Sequence, residues 1–274
     1  MIIDARCRPP WKSFQNGFKT SGILVRVPAF PVPDPPSFLQ DSMELFVKEM
    51  DEAGVDMAVA VGRNRTRFEI PNDEIAELVR KYPKKIIGVG GIDCFGEVHD
   101  PVAEIERCIT KLQFRGISIE PGGNKADLNF DDPKLFPIYS KCDELQVPVF
   151  LTTAHRQGTS IDHTNPVHID HVASRFPRLK IVCAHACWPY VLEMIAVAQR
   201  YRNVFVSPDG YTFRPGGNLY SLSADRYIED QFLFGSAYPL NPMKESVEAH
   251  RKFGLSQKIL NKIFYENTAR LLGL

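Results

Sequence analysis

The amino-acid sequence predicts a single (β/α)8 TIM-like barrel with an extra C-terminal helix, with residues 1–274 as one domain. Three observations predict it. Short apolar segments of strand length alternate with amphipathic segments of helix length along the whole chain, eight of each. The first turn reads Arg6-Cys7-Arg8-Pro9-Pro10, without the glycines that a doubly wound nucleotide-binding sheet places there. Beyond residue 36, no Pro/Gly-rich linker, internal repeat or low-complexity tract divides the chain.

Ile2, Ile3 and Ala5 form a short buried strand that Pro9 and Pro10 end. Residues 10–36 are Pro-rich and carry no sustained period, so they are expected to form an active-site loop or lid. Asp41–Ala53 has helical spacing of Met43, Phe46 and Met50, with Gly54 as its stop, and Val55–Val61 is the second strand. Helix Asn72–Tyr82 lies between Pro71 and Pro83, and Ile86–Ile92 is the third strand. The alternation continues with helix Pro101–Leu112, strand Gly116–Glu120, helix Pro133–Leu145 and strand Val147–Thr153. Helix Pro166–Phe176, strand Lys180–Cys187, helix Pro189–Tyr201 and strand Val204–Ser207 follow. Ser221–Ile228 belongs to a seventh helix, Phe232–Ser236 is the eighth strand, Met243–Phe253 the last crossover helix and Ser256–Leu272 the C-terminal one.

Composition narrows the function. Hydrophobic residues make up 44% and charged residues 24%, the balance of a soluble globular protein. Lys plus Arg and Asp plus Glu are both 33, so no basic excess is available for a phosphate backbone and nucleic acid is not an expected partner. No apolar run approaches the roughly 18 residues of a membrane span, and the N-terminus lacks a signal-peptide pattern. Six Cys at positions 7, 94, 108, 142, 183 and 187 have neither zinc-site nor disulfide-framework spacing, which suits reduced thiols in the cytoplasm.

In a barrel, chemistry collects at the C-terminal ends of the strands. Alternation points Arg6 and Arg8 the same way, and two guanidiniums that cannot lose their protons call for an anion. The second strand contributes Arg63, the fourth Glu120, and the fifth Thr152 with His155 just beyond. The sixth contributes His185 and Trp188, the seventh Asp209, and the eighth Tyr238. His163 and His168 flank Thr164-Asn165-Pro166, a helix-start signal, and read as local structure.

Met1-Ile-Ile-Asp-Ala5, Ile181-Val-Cys-Ala-His185 and Phe234-Gly-Ser-Ala-Tyr-Pro239 resemble the amidohydrolase superfamily, closest to its amidohydrolase-related (amidohydrolase 2) branch of hydrolases and decarboxylases. The resemblance implies the same barrel and a leaning towards homodimers. It also implies a divalent metal held by His-x-His after the first strand, by His at the end of the fifth and by Asp in the eighth. This chain has Arg6, Arg8, Thr152 and Ala237 at those places. His185 matches the sixth-strand His, which mainly activates water or polarises substrate.

The expected site therefore works without a metal. Arg6, Arg8 and Arg63 bind a small anionic substrate, with Thr152, His155, Trp188 and Tyr238 around it. His185 activates water, with Asp209 or Glu120 orienting it, and the product is that of hydrolysis of a carboxylated lactone, ester or amide. Metal-free lactonases in the superfamily provide the parallel, although they keep the eighth-strand Asp. Three alternatives stand beside this reading: a decarboxylase of a small aromatic or unsaturated carboxylate, a non-catalytic barrel that only binds ligand, and a zinc-type site rebuilt from Glu120, His185 and Asp209.

Overall fold

Seven parallel strands run in chain order around a nearly closed barrel: β1 (Ile3–Cys7), β2 (Met57–Val61), β3 (Ile86–Gly91), β4 (Ile117–Ile119), β5 (Val149–Thr152), β6 (Ile181–Ala184) and β7 (Val204–Ser207). The molecule is seen in a computed structural model that describes residues 1–14, 19, 29–64, 69–97, 99–123 and 127–274. The expected eighth strand is a correction. Residues 232–236 lie between β7 and β1, with Leu233 N–H donating to Val206 and Ala5 N–H donating to Phe234, but they form single bridges rather than a ladder. Their remaining backbone donors are engaged elsewhere: Phe234 N–H on Ile263 and Ser236 N–H on the Asp4 carboxylate.

Helices α1 (Pro36–Leu39), α2 (Met43–Ala53), α3 (Asn72–Lys81), α4 (Pro101–Thr110), α5 (Phe136–Glu144), α6 (Val167–Arg175), α7 (Val191–Arg200), α8 (Asn218–Ser223) and α9 (Met243–Arg251) cover the outside. Local chemistry sets their ends. Ser42 caps α2 by accepting from Leu45 N–H, and Gly54 closes it in the left-handed conformation at φ 71°. Asp100 caps α4 with Pro101 in its first turn. The seventh helix is shifted to Asn218–Ser223. The C-terminal helix is interrupted, running as α10 (Gln257–Asn261), a π turn (Lys262–Glu266) and α11 (Asn267–Leu272).

Side-chain alternation divides the core into two layers. Ala58, Ala60, Ile117, Ile119, Leu151, Ile181 and Val206 face the helices. Ile3, Ala5, Val59, Val61, Phe150, Val182, Phe205 and Leu233 fill the barrel interior, where Leu271 and Leu272 of α11 also pack. Extending the inward parity up each strand delivers Arg63, Glu120, Thr152 and Asp209 to the open end. β1 departs from it: its pairing with β2 shifts between Asp4 and Cys7, sending Cys7 to the outer layer.

Residues 15–18 and 20–28 of the expected 10–36 loop, and Arg65 beside Arg63, lie outside the described residues. Among the described residues, no helix is long and apolar enough to cross a membrane.

Candidate active site

Two side-chain groups meet at the C-terminal end of the barrel. The first is built on Glu120, just past β4. Its Oε1 accepts from Arg8 Nη2 at 3.0 Å and from Thr152 Oγ1 at 3.2 Å, and Arg63 Nη2 lies 2.7 Å from its Oε2. Arg8 Nε donates to the Val61 carbonyl at 3.3 Å. All four side chains are buried. Burial, Arg6 and Arg63 pull the Arg8 pKa down while Glu120 opposes them, yet a guanidinium starts so high that it stays charged. Glu120 thus sits as a counter-ion between guanidiniums.

The second group is built on Asp209. Its Oδ1 accepts from Ser207 Oγ at 2.7 Å, and its Oδ2 lies 2.9 Å from His185 Nδ1. Burial, and then the charge of Arg6, push the His185 pKa down to about 4, against the opposing pull of Asp209. The imidazole is therefore neutral at physiological pH, with Nδ1 close to Asp209 but, among the described residues, outside hydrogen-bond geometry. Gly235 makes room for this contact, since a Cβ there would lie 2.4 Å from Asp209 Oδ1.

Arg6 stands between the groups. It is 3% exposed, its Nη2 reaches Thr152 Oγ1 only at 3.5 Å, and its Nη1 is 3.8 Å from Asp209 Oδ2. Among the described residues its Nε has no hydrogen-bond partner. The backbone around His185 is strained: His185, Ala186 and Cys187 have φ of 70°, 46° and 57°, and Asp209 has 55°. Thr153 Oγ1 accepts from Cys187 N–H, and Tyr220 donates its hydroxyl to the Ala186 carbonyl, so surrounding side chains pin the turn.

An aromatic wall borders His185. The Tyr211 ring lies 5.1 Å from His185, 5.6 Å from His155 and 5.7 Å from Trp188, and Arg214 stands 5.0 Å above it. His155 and Trp188 therefore belong to the rim. Tyr238 does not reach it: its hydroxyl bonds to Ser37 Oγ at 2.6 Å and its ring packs edge-on against Phe46, tying α1 and α2 to the barrel. Tyr211 and Arg214 escaped the sequence reading because they follow Asp209 in an irregular segment. Asp4 escaped it too. Fully buried, it accepts from the backbone N–H groups of Arg6 and Ser236, and burial raises its pKa to about 7. Its place within the Asp-Ala opening was the available signal.

An amidohydrolase family model matches residues 4–274. The chain belongs to the amidohydrolase family. Over 82 residues, this family member is 40% identical to 2-amino-3-carboxymuconate-6-semialdehyde decarboxylase of Dictyostelium discoideum, a match covering 29% of the chain and 21% of that relative. Its structure is similar to an uncharacterised TIM-barrel protein of Bordetella bronchiseptica, at TM-score 0.87 and 34% identity, covering 99% of this chain and 98% of that one. It also shares the fold of 5-carboxyvanillate decarboxylase from Sphingomonas paucimobilis, at TM-score 0.72 and 18% identity, covering 100% and 99%.

Proposed function

We propose that this amidohydrolase-family chain is a carboxy-lyase that removes carbon dioxide from a small conjugated carboxylate bearing a second anionic group. The observation that carries the reading is Arg6. Among the described residues its buried guanidinium has no acceptor for Nε, and the carboxylate 3.8 Å away, Asp209, already faces His185. An anion beside Arg6 completes its pairing, because a buried charge is costly until it is paired. The decarboxylases among the relatives support carbon–carbon cleavage ahead of the hydrolysis expected from the sequence.

The divalent ion that the superfamily implies does not suit these residues. Arg6 approaches Asp209 and Arg8 holds Glu120, so fixed positive charges stand where cation ligands are expected. Glu120 also has both oxygens engaged by guanidiniums. At an effective dielectric near 20, a guanidinium about 4 Å from a divalent ion costs several kcal/mol. The rebuilt Glu120–His185–Asp209 site is therefore set aside.

Charge dictates how the substrate lies. Losing carbon dioxide discharges the departing carboxylate, so a guanidinium clamped on that group stabilises the reactant more than the transition state. Arg6 accordingly holds the second anionic group, and the leaving carboxylate lies towards Tyr211. His185 Nε2 takes a proton from the substrate's hydroxyl or from water, with Asp209 stabilising the imidazolium. Because its pKa is pushed down to about 4, that imidazolium is a strong donor to the carbon bearing the carboxylate. The carbon–carbon bond then breaks, its electron pair moves into the conjugated system towards Arg6, and carbon dioxide departs.

The test measures carbon dioxide release by chelator-treated protein from aromatic and dienoic acids with and without a second carboxylate or hydroxyl. Release confined to the doubly functional acids, with kcat/KM about 100-fold lower in Arg6→Gln, is the expected result. Activity that needs added manganese or zinc overturns the metal-free reading. Consumption of the matching lactones or esters, with no carbon dioxide from any acid, establishes hydrolysis, for which neutral His185 backed by Asp209 is a suitable base.

A further inference from the structure

Outside the barrel mouth, a second group of ligating side chains has no part in the reading above. Asp131, in the connection after β4, faces His168 and His171, one turn apart on α6. Among the described residues, these three bring ligand atoms within 4.8 Å of one another. Asp131 Oδ1 lies 2.8 Å from His168 Nδ1, and its Oδ2 lies 2.6 Å from His171 Nδ1. On the far side of the His168 ring, Nε2 lies 3.5 Å from Asp162 Oδ2.

His168 is enclosed between two carboxylates. It is 8% exposed, and both its ring nitrogens face carboxylate oxygens without hydrogen-bond geometry. Its Nδ1 and His171 Nδ1 thus converge on the two oxygens of one carboxylate, as ligands of a shared cation would. A cation there is ligated by His168 Nδ1, His171 Nδ1 and Asp131 together. It leaves Nε2–H for Asp162, the carboxylate–histidine–metal arrangement that orients metal-bound imidazoles.

We propose that Asp131, His168 and His171 form a binding site for a borderline divalent transition ion such as Zn2+. Two imidazoles and one carboxylate suit that class better than Mg2+ or Ca2+, which prefer all-oxygen sets. The ion joins two connections of the catalytic rim. The one after β4 begins at Glu120 and includes Asp131; the one after β5 carries His155 and Gln157 and leads into α6. The two already touch through Gly158 N–H on the Gly122 carbonyl and through Asp127 with His163 at 2.9 Å. The sequence reading of His163 and His168 as helix-start structure thus covers part of the role of His168.

The test uses the full chain, stripped by chelator, titrated with Zn2+ alone by calorimetry and with Co2+ by visible absorption. One equivalent with a Co2+ d–d band is expected for wild type. His171→Ala and Asp131→Asn should each bind at least tenfold more weakly and lose the band. The His171 side chain is 57% exposed, so its truncation leaves the fold intact, as circular dichroism and the melting temperature can verify. Absence of stoichiometric uptake by wild type, or either variant binding as tightly as wild type, overturns the proposal. The outcome is independent of catalysis at Arg6 and His185.

Discussion

Asp209 Oδ2 lies 2.9 Å from His185 Nδ1, joining the C-terminal ends of neighbouring strands β7 and β6. The contact leaves Nε2 as the ring nitrogen that the proposed reaction uses. It opposes, without outweighing, the burial and the Arg6 charge that keep the ring neutral.

That balance sets the acid limb of kcat/KM. Catalysis that needs neutral His185 should persist down to about pH 5 and fall with an apparent pKa near 4, well below the usual histidine value. Arg6→Gln removes a charge that lowers the pKa, so its limb should move to higher pH. Asp209→Asn removes one that raises it, so its limb should move lower, with rate reduced about 100-fold or more. Full pH–rate profiles of the three proteins decide this.

Glu120 should matter more for stability than for chemistry. Glu120→Gln removes the negative charge beside Arg8 and Arg63 and should destabilise the fold by about 3–5 kcal/mol. Adding Arg8→Met should restore part of the loss. Urea unfolding of the single and double variants measures both effects.

Gly235→Ala tests whether crowding Asp209 disables the site. The added Cβ would lie 2.4 Å from Asp209 Oδ1 and 2.6 Å from Ser207 Oγ. Expected are a stability loss of about 1–3 kcal/mol and a fall in kcat of at least tenfold, read from steady-state kinetics beside thermal melts.

The pH dependence of stability should show two opposing slopes. His185 and His250, both buried with pKa values pushed down to about 4, take up protons later in the fold than when unfolded. Their contribution is complete above about pH 6.5 and declines as pH falls towards 4. Asp4, raised to about 7, binds its proton more readily in the fold, so its contribution declines as pH rises from about 4 to 7. Asp4→Asn removes the second slope. Its stability relative to wild type should therefore grow across that interval, by up to roughly 1.4 kcal/mol per pH unit, as urea midpoints at pH 4.5 and 7.5 would reveal.

By itself, the sequence determined the barrel, the family and the strand ends that carry His185, Asp209, Glu120 and the arginines. Glu120 and Asp209 are legible because strand and helix periodicities are local, and inward parity runs up their strands to the end, whereas His185 shares the outward parity of Ile181 and Cys183 and is marked by the family resemblance instead. The tertiary structure alone decided the partners. Arg8 and Glu120 are 112 residues apart, and their 3.0 Å contact depends on how the strands stagger around the barrel. The irregular pairing of β1 sends Cys7 outward while Arg6 and Arg8 reach their partners at the open end, and no repeat in the chain announces such a shift. Tyr238 turned to Ser37 and Phe46 because α1 and α2 pack against the end of the chain's last barrel segment. The eighth strand shrank to bridges once Ile263 and Asp4 claimed its backbone donors. In each case the deciding interaction joins residues far apart in sequence, where periodicity carries no information.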